Sequence, residues 1–175
     1  MGFPQCPDIV KRFVFLLALL LSCAYLFQPV TYLLVSEAEG GKILVAQPLG
    51  AGEEFFLIYT HSVHKSPVVE VFAAEPGLGL VLKKTGFRDY GVGIPYSTPY
   101  DFKLGEDGFF WIENIDEPLG SFTLRVQEIP NQRLVIGGRE INLLDKTRSG
   151  TLVRVELVSG ARLKMWLKER GFNGK

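Results

Sequence analysis

From Thr31 onward the chain is cut at roughly regular spacing by clusters of Gly, Pro, Asn and Asp, and the short apolar runs between them show no helical period. Short runs bounded by turn residues fit strands, and many in series fit an antiparallel sandwich or barrel. Glu39-Gly40-Gly41 and Gly137-Gly138 are the clearest punctuation, because glycine supplies the positive φ of a tight hairpin turn. Asp107-Gly108 and Ser159-Gly160 read as turns of the same kind. Phe122, Leu124 and Val126 alternate with Thr123, Arg125 and Gln127, the pattern of a strand with one buried face. Val153, Val155 and Leu157 are expected to face the core together with Leu163, Met165 and Leu167, across a hairpin at Ser159-Gly160. The stretch from Gly86 through the aromatic residues to Phe102 reads as a long irregular loop. The expected fold class is all-β, a single antiparallel β-sandwich or barrel-like domain behind an N-terminal hydrophobic helix.

Ahead of the strands, Lys11 and Arg12 precede an apolar stretch from Phe13 to Phe27 that is interrupted only by Ser22 and Cys23. A positive segment followed by such a stretch has the arrangement of a secretory leader. Its uninterrupted part is shorter than the ~20 residues of a comfortable transmembrane helix. The positive charge keeps that end in the cytoplasm and sends the rest of the chain outward. Leu20-Leu21-Ser22-Cys23 resembles a lipobox, so lipidation at Cys23, an uncleaved signal anchor and plain cleavage are the three expected fates. All three place the domain outside the cytoplasm, and the expected location is the cell membrane with the domain facing the extracytoplasmic side. Residues 1–28 are then signal peptide, lipoprotein leader or anchor, 29–170 the β-domain and 171–175 a disordered tail. The two cysteines, Cys6 and Cys23, both lie in the leader, so no disulfide is expected inside the domain. Nineteen basic side chains balance nineteen acidic ones, which leaves no net field to draw the protein to nucleic acid.

The residues that look like chemistry concentrate in His61-Ser62-Val63-His64-Lys65-Ser66-Pro67-Val68-Val69-Glu70, which holds both histidines. A triad of Ser62 or Ser66, a histidine and Glu70 meets a geometric objection. Neighbours on a strand point to opposite faces, so an extended His61 cannot hydrogen-bond Ser62. The chain also lacks a Gly-x-Ser-x-Gly elbow. As zinc ligands, His61, His64 and Glu70 would have to converge, and the hairpin register decides whether they share a face. A five-residue connection pairs His61 with Pro67 and turns Glu70 to the opposite face beside Thr60. A four-residue connection puts His61 and Glu70 on one face, a diagonal apart. The plainer reading makes residues 62–67 a polar loop, with Pro67 setting where the next strand begins. Neither a metal nor another cofactor is expected.

Glu70 stands apart, because it interrupts the apolar run Val68, Val69, Val71 and Phe72. A carboxylate inside such a strand must reach water at a cleft or be paired, and Arg88 or Arg125 is the expected partner. Gly86, Gly91 and Gly93 imitate a phosphate-binding loop, but no helix follows to present its N-terminus, so turn chemistry is expected there. Tyr90, Tyr96, Tyr100 and Phe102 either line a groove or fill core.

Four segments stand in order along the chain: His61-Ser62-Val63, Pro67-Val68 with Glu70, Gly91-Val92-Gly93-Ile94-Pro95, and Asn131 followed by Leu134. In this order the chain resembles the bacterial family called domain of unknown function 1850, over roughly Thr31 to Val158. The resemblance implies a small protein with an N-terminal hydrophobic segment, often encoded beside TAXI-type TRAP transporter components, which import organic anions. It also implies His61, Ser62, Glu70, Gly91, Gly93, Pro95 and Asn131 as the site residues. Gln132 stands where many relatives are expected to carry a histidine. Motifs spread over a hairpin loop, a glycine loop and a later turn imply one cluster at one end of the β-domain. The protein is therefore expected to be a non-enzymatic accessory or binding component of a TRAP-type transport system. It would contact the transporter's binding protein or permease, or hold a small organic anion with Arg125 as counter-charge. The alternatives are a hydrolase or metal-dependent enzyme using His61, Ser62 and Glu70, and a purely structural motif in an interaction protein.

Overall fold

The computed structural model describes residues 8–89 and 98–164. Helix α1 spans Asp8–Phe27 and is followed by strands β1 (Pro29–Glu37), β2 (Ile43–Pro48), β3 (Glu54–Thr60), β4 (Pro67–Glu75) and β5 (Gly79–Phe87). Then come β6 (Asp101–Leu104), β7 (Phe110–Glu113), β8 (Glu117–Arg125), β9 (Arg133–Ile136), β10 (Arg139–Asn142), a 3-10 turn at Leu143–Asp145 and β11 (Leu152–Ala161). The chain divides into two compact units, one of residues 1–30 with 159–175 and one of residues 31–158.

In the first unit, Ile9–Phe27 forms 19 helical residues of mean hydropathy 2.0, with none of that surface buried. Fifteen or so consecutive apolar residues can satisfy their own backbone as a helix without burying their side chains in a protein core. By length and composition this helix can cross a membrane. Cys23 lies exposed on it as a free thiol. Near its end, the Arg162 guanidinium stands 4.6 Å from the centre of the Tyr25 ring.

The strands form one eleven-stranded sheet in the order β10-β9-β3-β4-β5-β8-β11-β1-β2, with β7 pairing β5 and carrying β6 on its far side. Val45 of β2 and Leu49 just beyond it belong to the same buried cluster as Ile141 of β10 and Leu143. Residues from opposite ends of the strand order thus share one core, so the sheet curls around it as a half-barrel instead of splitting into a two-sheet sandwich. Phe55, Leu33, Leu80, Leu134, Val153 and Val155 are sealed in that core. Phe122 and Leu124 pack against it and Val126 is buried in it, as their alternation predicts.

Strand β5 is a fork. Its first half, Leu80 to Leu82, pairs with β8, whereas Thr85 to Phe87 pairs with β7. Between the halves the β4 register slips, so that Val71 opposes Lys84 while Phe72 opposes Leu82, and Lys83 is the extra residue of a bulge. The bulge shifts which residues face inward. A second, smaller cluster of Val68, Phe87 and Ile112, flanked by Tyr59, Phe110 and Ile115, forms on the β7 side.

Gly137 and Gly138, at φ 55° and 78°, make the two-residue turn that joins β9 to β10 as expected. The hairpin expected at Ser159-Gly160 does not form, because β11 runs unbroken from Leu152 through Ala161. Glycine adopts extended backbone as readily as a turn, so the dipeptide alone does not force a reversal. Of the residues expected on its second strand, Met165 and Leu167 lie outside the described residues. Gly86 is likewise in β5 and not in a loop, and its missing side chain makes room for Trp111: a Cβ there would stand 2.7 Å from the indole.

Candidate functional site

The β3–β4 hairpin positions the polar residues, and its register is Thr60 with Pro67, Tyr59 with Val68 and Leu57 with Glu70. The His61 N–H donates to the Ser66 carbonyl at 2.8 Å, and the His61 carbonyl accepts the Lys65 N–H at 2.8 Å. The connection is therefore the four-residue one, Ser62 to Lys65, and Lys65 closes it in the left-handed region at φ 51°. Strand alternation then places Tyr59 and His61 on the same face as Val68 and Glu70. The shared face is as the four-residue register requires, but His61 is not the diagonal neighbour of Glu70. That position belongs to Tyr59, one pleat closer.

The Tyr59 hydroxyl donates to Glu70 Oε1 at 3.1 Å. Burial raises the Glu70 pKa above the ordinary carboxyl value, and the hydrogen bond from Tyr59 offsets part of that rise by stabilising the ionised form. The Tyr59 phenol is pushed upward too, first by its own burial and then by the charge of Glu70 and the bond to it. Among the described residues, Tyr59 is the hydrogen-bond partner of Glu70 and no cation pairs with the carboxylate.

The pair lies in the middle of an otherwise apolar sheet face. Leu134, Leu57, Glu70, Thr85, Ile112 and Phe102 are successive cross-strand partners from β9 to β6, so Glu70 and Thr85 are polar between two hydrophobic halves. The next row runs Tyr59, Val68, Phe87, Phe110 and Leu104. Across the two rows, the Phe102 and Phe110 rings stack at 5.8 Å with 8° between their planes.

A family model described as Domain of unknown function (DUF1850) matches residues 55–143. The chain belongs to that family. No curated protein and no solved structure matches it. The DUF1850 segment begins inside β3 and ends just after β10, so it carries the whole Tyr59–Glu70 row.

Within the DUF1850 segment the other expected site residues are distributed unevenly. The His61 Nδ1 accepts the His64 N–H at 3.4 Å, and the two imidazoles stand 5.3 Å apart, while Ser62 is exposed on the loop. The Pro130 carbonyl accepts the Thr60 N–H at 2.8 Å, which sets the Pro130-Asn131 turn beside the same end of the hairpin. Asn131 holds that turn at φ 46°, and its Oδ1 accepts a hydrogen bond from Asn142 at 2.9 Å. Arg125 is not brought to Glu70. It follows the core-packed Phe122 and Leu124 in alternation, faces outward, and donates to the Gly150 carbonyl at 2.6 Å. Arg88 donates to the Asp107 carbonyl at 3.5 Å and lies over the Phe109 ring. Gly91, Gly93 and Pro95 lie outside the described residues.

Sequence reasoning passed over Tyr59 and Thr85, and marked Gln132 only as a departure from the family pattern. Gln132 is buried, with its Oε1 accepting the Gln127 N–H at 3.1 Å and its Nε2 donating to the Arg125 carbonyl at 2.9 Å, so it ties the turn that carries Asn131. Tyr59 was detectable in principle as the one residue with a polar tip in the inward series Phe55, Leu57, Tyr59. Among the described residues, no three His, Cys, Asp or Glu side chains gather as a metal site.

Proposed function

We propose that this DUF1850 protein is a membrane-anchored, extracytoplasmic binding domain that assists a TRAP-type solute transporter. The apolar surface of α1 supports the anchor, Lys11 and Arg12 at its start support the outward orientation, and Cys23 offers a place for a lipid. The observation that carries the reading is the environment of Glu70. Its carboxyl is held by Tyr59 on a partly buried face, while His61 is engaged with its own loop, so the groups a hydrolase would link in a relay are separated. A carboxyl–phenol pair on an apolar face is instead the furniture of a binding site. The organic-anion version of this reading loses the support it drew from Arg125, which faces away.

The full chain in nanodiscs, offered the transporter's binding protein and its permease, should capture one of them. Failure to retain either would reject the accessory role. Labelling with a fluorophosphonate and metal analysis of the purified protein address the rival hydrolase directly, and a labelled Ser62 or a stoichiometric metal would favour it.

A further inference from the structure

We propose that Glu70, Tyr59 and the aromatic end of the same sheet face form a site for an organic ammonium ligand, a protonated amine carried on an apolar body. This rests on the binding reading above and names the ligand that it would take. Three observations converge on that chemistry. Among the described residues the Glu70 carboxyl has a phenol and no cation beside it, so a ligand that brings a positive charge would complete the pair. Arg125, on β8 two strands away from β4, turns outward to the Gly150 carbonyl. An aromatic series starts at Phe87, the diagonal neighbour of the carboxylate across β4 and β5, and runs through Phe110 to the surface at Phe102, which is 42% exposed.

An ammonium group answers each of these. It pairs with the carboxylate, leaves the Tyr59 bond to Glu70 intact, and draws on the negative faces of stacked rings. An anion of the same shape would meet Glu70 as a like charge. Thr85, the cross-strand partner of Glu70, adds a hydroxyl on the same face as a second hydrogen-bonding group for the amine. The aromatic rows from Phe87 to Phe102 give the apolar body of the ligand a flat surface to lie on.

The test uses the full chain in phosphatidylcholine nanodiscs, with empty nanodiscs as the blank, titrated with benzylammonium and with phenylacetate. Benzylammonium should bind saturably and phenylacetate should not. Glu70→Gln, which keeps the shape and removes the charge, should weaken benzylammonium by at least about tenfold. Phe102→Ala, which removes an exposed ring from the same face and leaves the sealed core intact, should weaken benzylammonium by about threefold or more, so the test survives if the Gln variant folds poorly. Equal binding of the two probes would overturn the proposal, as would unchanged benzylammonium affinity in Glu70→Gln, or no binding of either up to about 10 mM. Capture of a transporter component by a protein that ignores benzylammonium would remove the ligand and leave the accessory role standing.

Discussion

The two hydrophobic clusters of the half-barrel share strands β3, β4 and β5 and differ in closure. The larger one seals Phe55 and Leu134 completely and stacks Phe55 on Phe72 at 5.2 Å. The smaller one, around Val68, Phe87 and Ile112, grades into rings that reach water, with Phe102 at its rim. Glu70 and Tyr59 lie at the boundary between the two. The difference teaches where this fold keeps its stability and where it leaves surface for recognition. A carboxyl without a partner would be costly inside the sealed first cluster, whereas at the boundary Glu70 has Tyr59.

The comparison is broken most forcefully by truncating an aromatic ring in each cluster. Phe55→Ala should cost about 3 to 5 kcal/mol in urea unfolding, and Phe102→Ala about 1 kcal/mol. Similar losses at both positions would mean that the second cluster is as sealed as the first. Next in size, Tyr59→Phe removes the bond to Glu70 and should cost roughly 1 to 2 kcal/mol. It should also move the Glu70 titration still higher, as carboxyl NMR would record, because that bond is what lowers it.

The pH dependence sharpens the boundary itself. The folded Glu70 pKa lies above its ordinary value of 4.5, so its contribution to stability is complete below that value and is lost as pH rises through the raised one. The other titratable groups on this face of β3 and β4 are Tyr59, which ionises only in alkali, and His61 at the loop. Melting temperature should therefore decline with pH above the ordinary carboxyl range in the parent, and the decline should be missing in Glu70→Gln. The smallest effect belongs to His61→Ala, whose ring is tied to the exposed backbone of its own loop. It should change stability by only about 0.5 kcal/mol, and a loss above about 2 kcal/mol would give His61 a structural role that its hydrogen bond does not explain.

Much of the architecture could be read from local chemistry. Gly40 and Gly41, like Gly137 and Gly138, sit at positive φ where the turns were expected, and the alternation through Phe122, Leu124 and Val126 faces the core. Ser159-Gly160 misled because a Ser-Gly pair permits a turn without requiring one. Strand β5 was read only weakly because Lys83 interrupts its alternation: Leu80 and Leu82 face inward before the bulge, Thr85 and Phe87 after it, and no single period covers both. At the site, Glu70 was conspicuous as a charge within an apolar run. Its partner was not, because Tyr59 meets it through a register that only the pairing of two strands defines. The arginine expected beside it was an assignment by charge alone, and alternation on β8 turns Arg125 to the other face.

The extra residue at Lys83 has a consequence in time as well as in space. Its ammonium bridges Glu75 and Asp116, and its carbonyl accepts the Ile115 N–H at 3.1 Å, so the ladder is pinned at the point where the register slips. A pinned interruption separates cooperative units, because opening on one side need not propagate across it. Amide exchange should accordingly divide at Lys83. The β6 and β7 amides, with those of the second half of β5, should exchange together through partial opening, while those of the first half of β5 wait for global unfolding. Uniform protection along β5 would show the bulge to be kinetically silent.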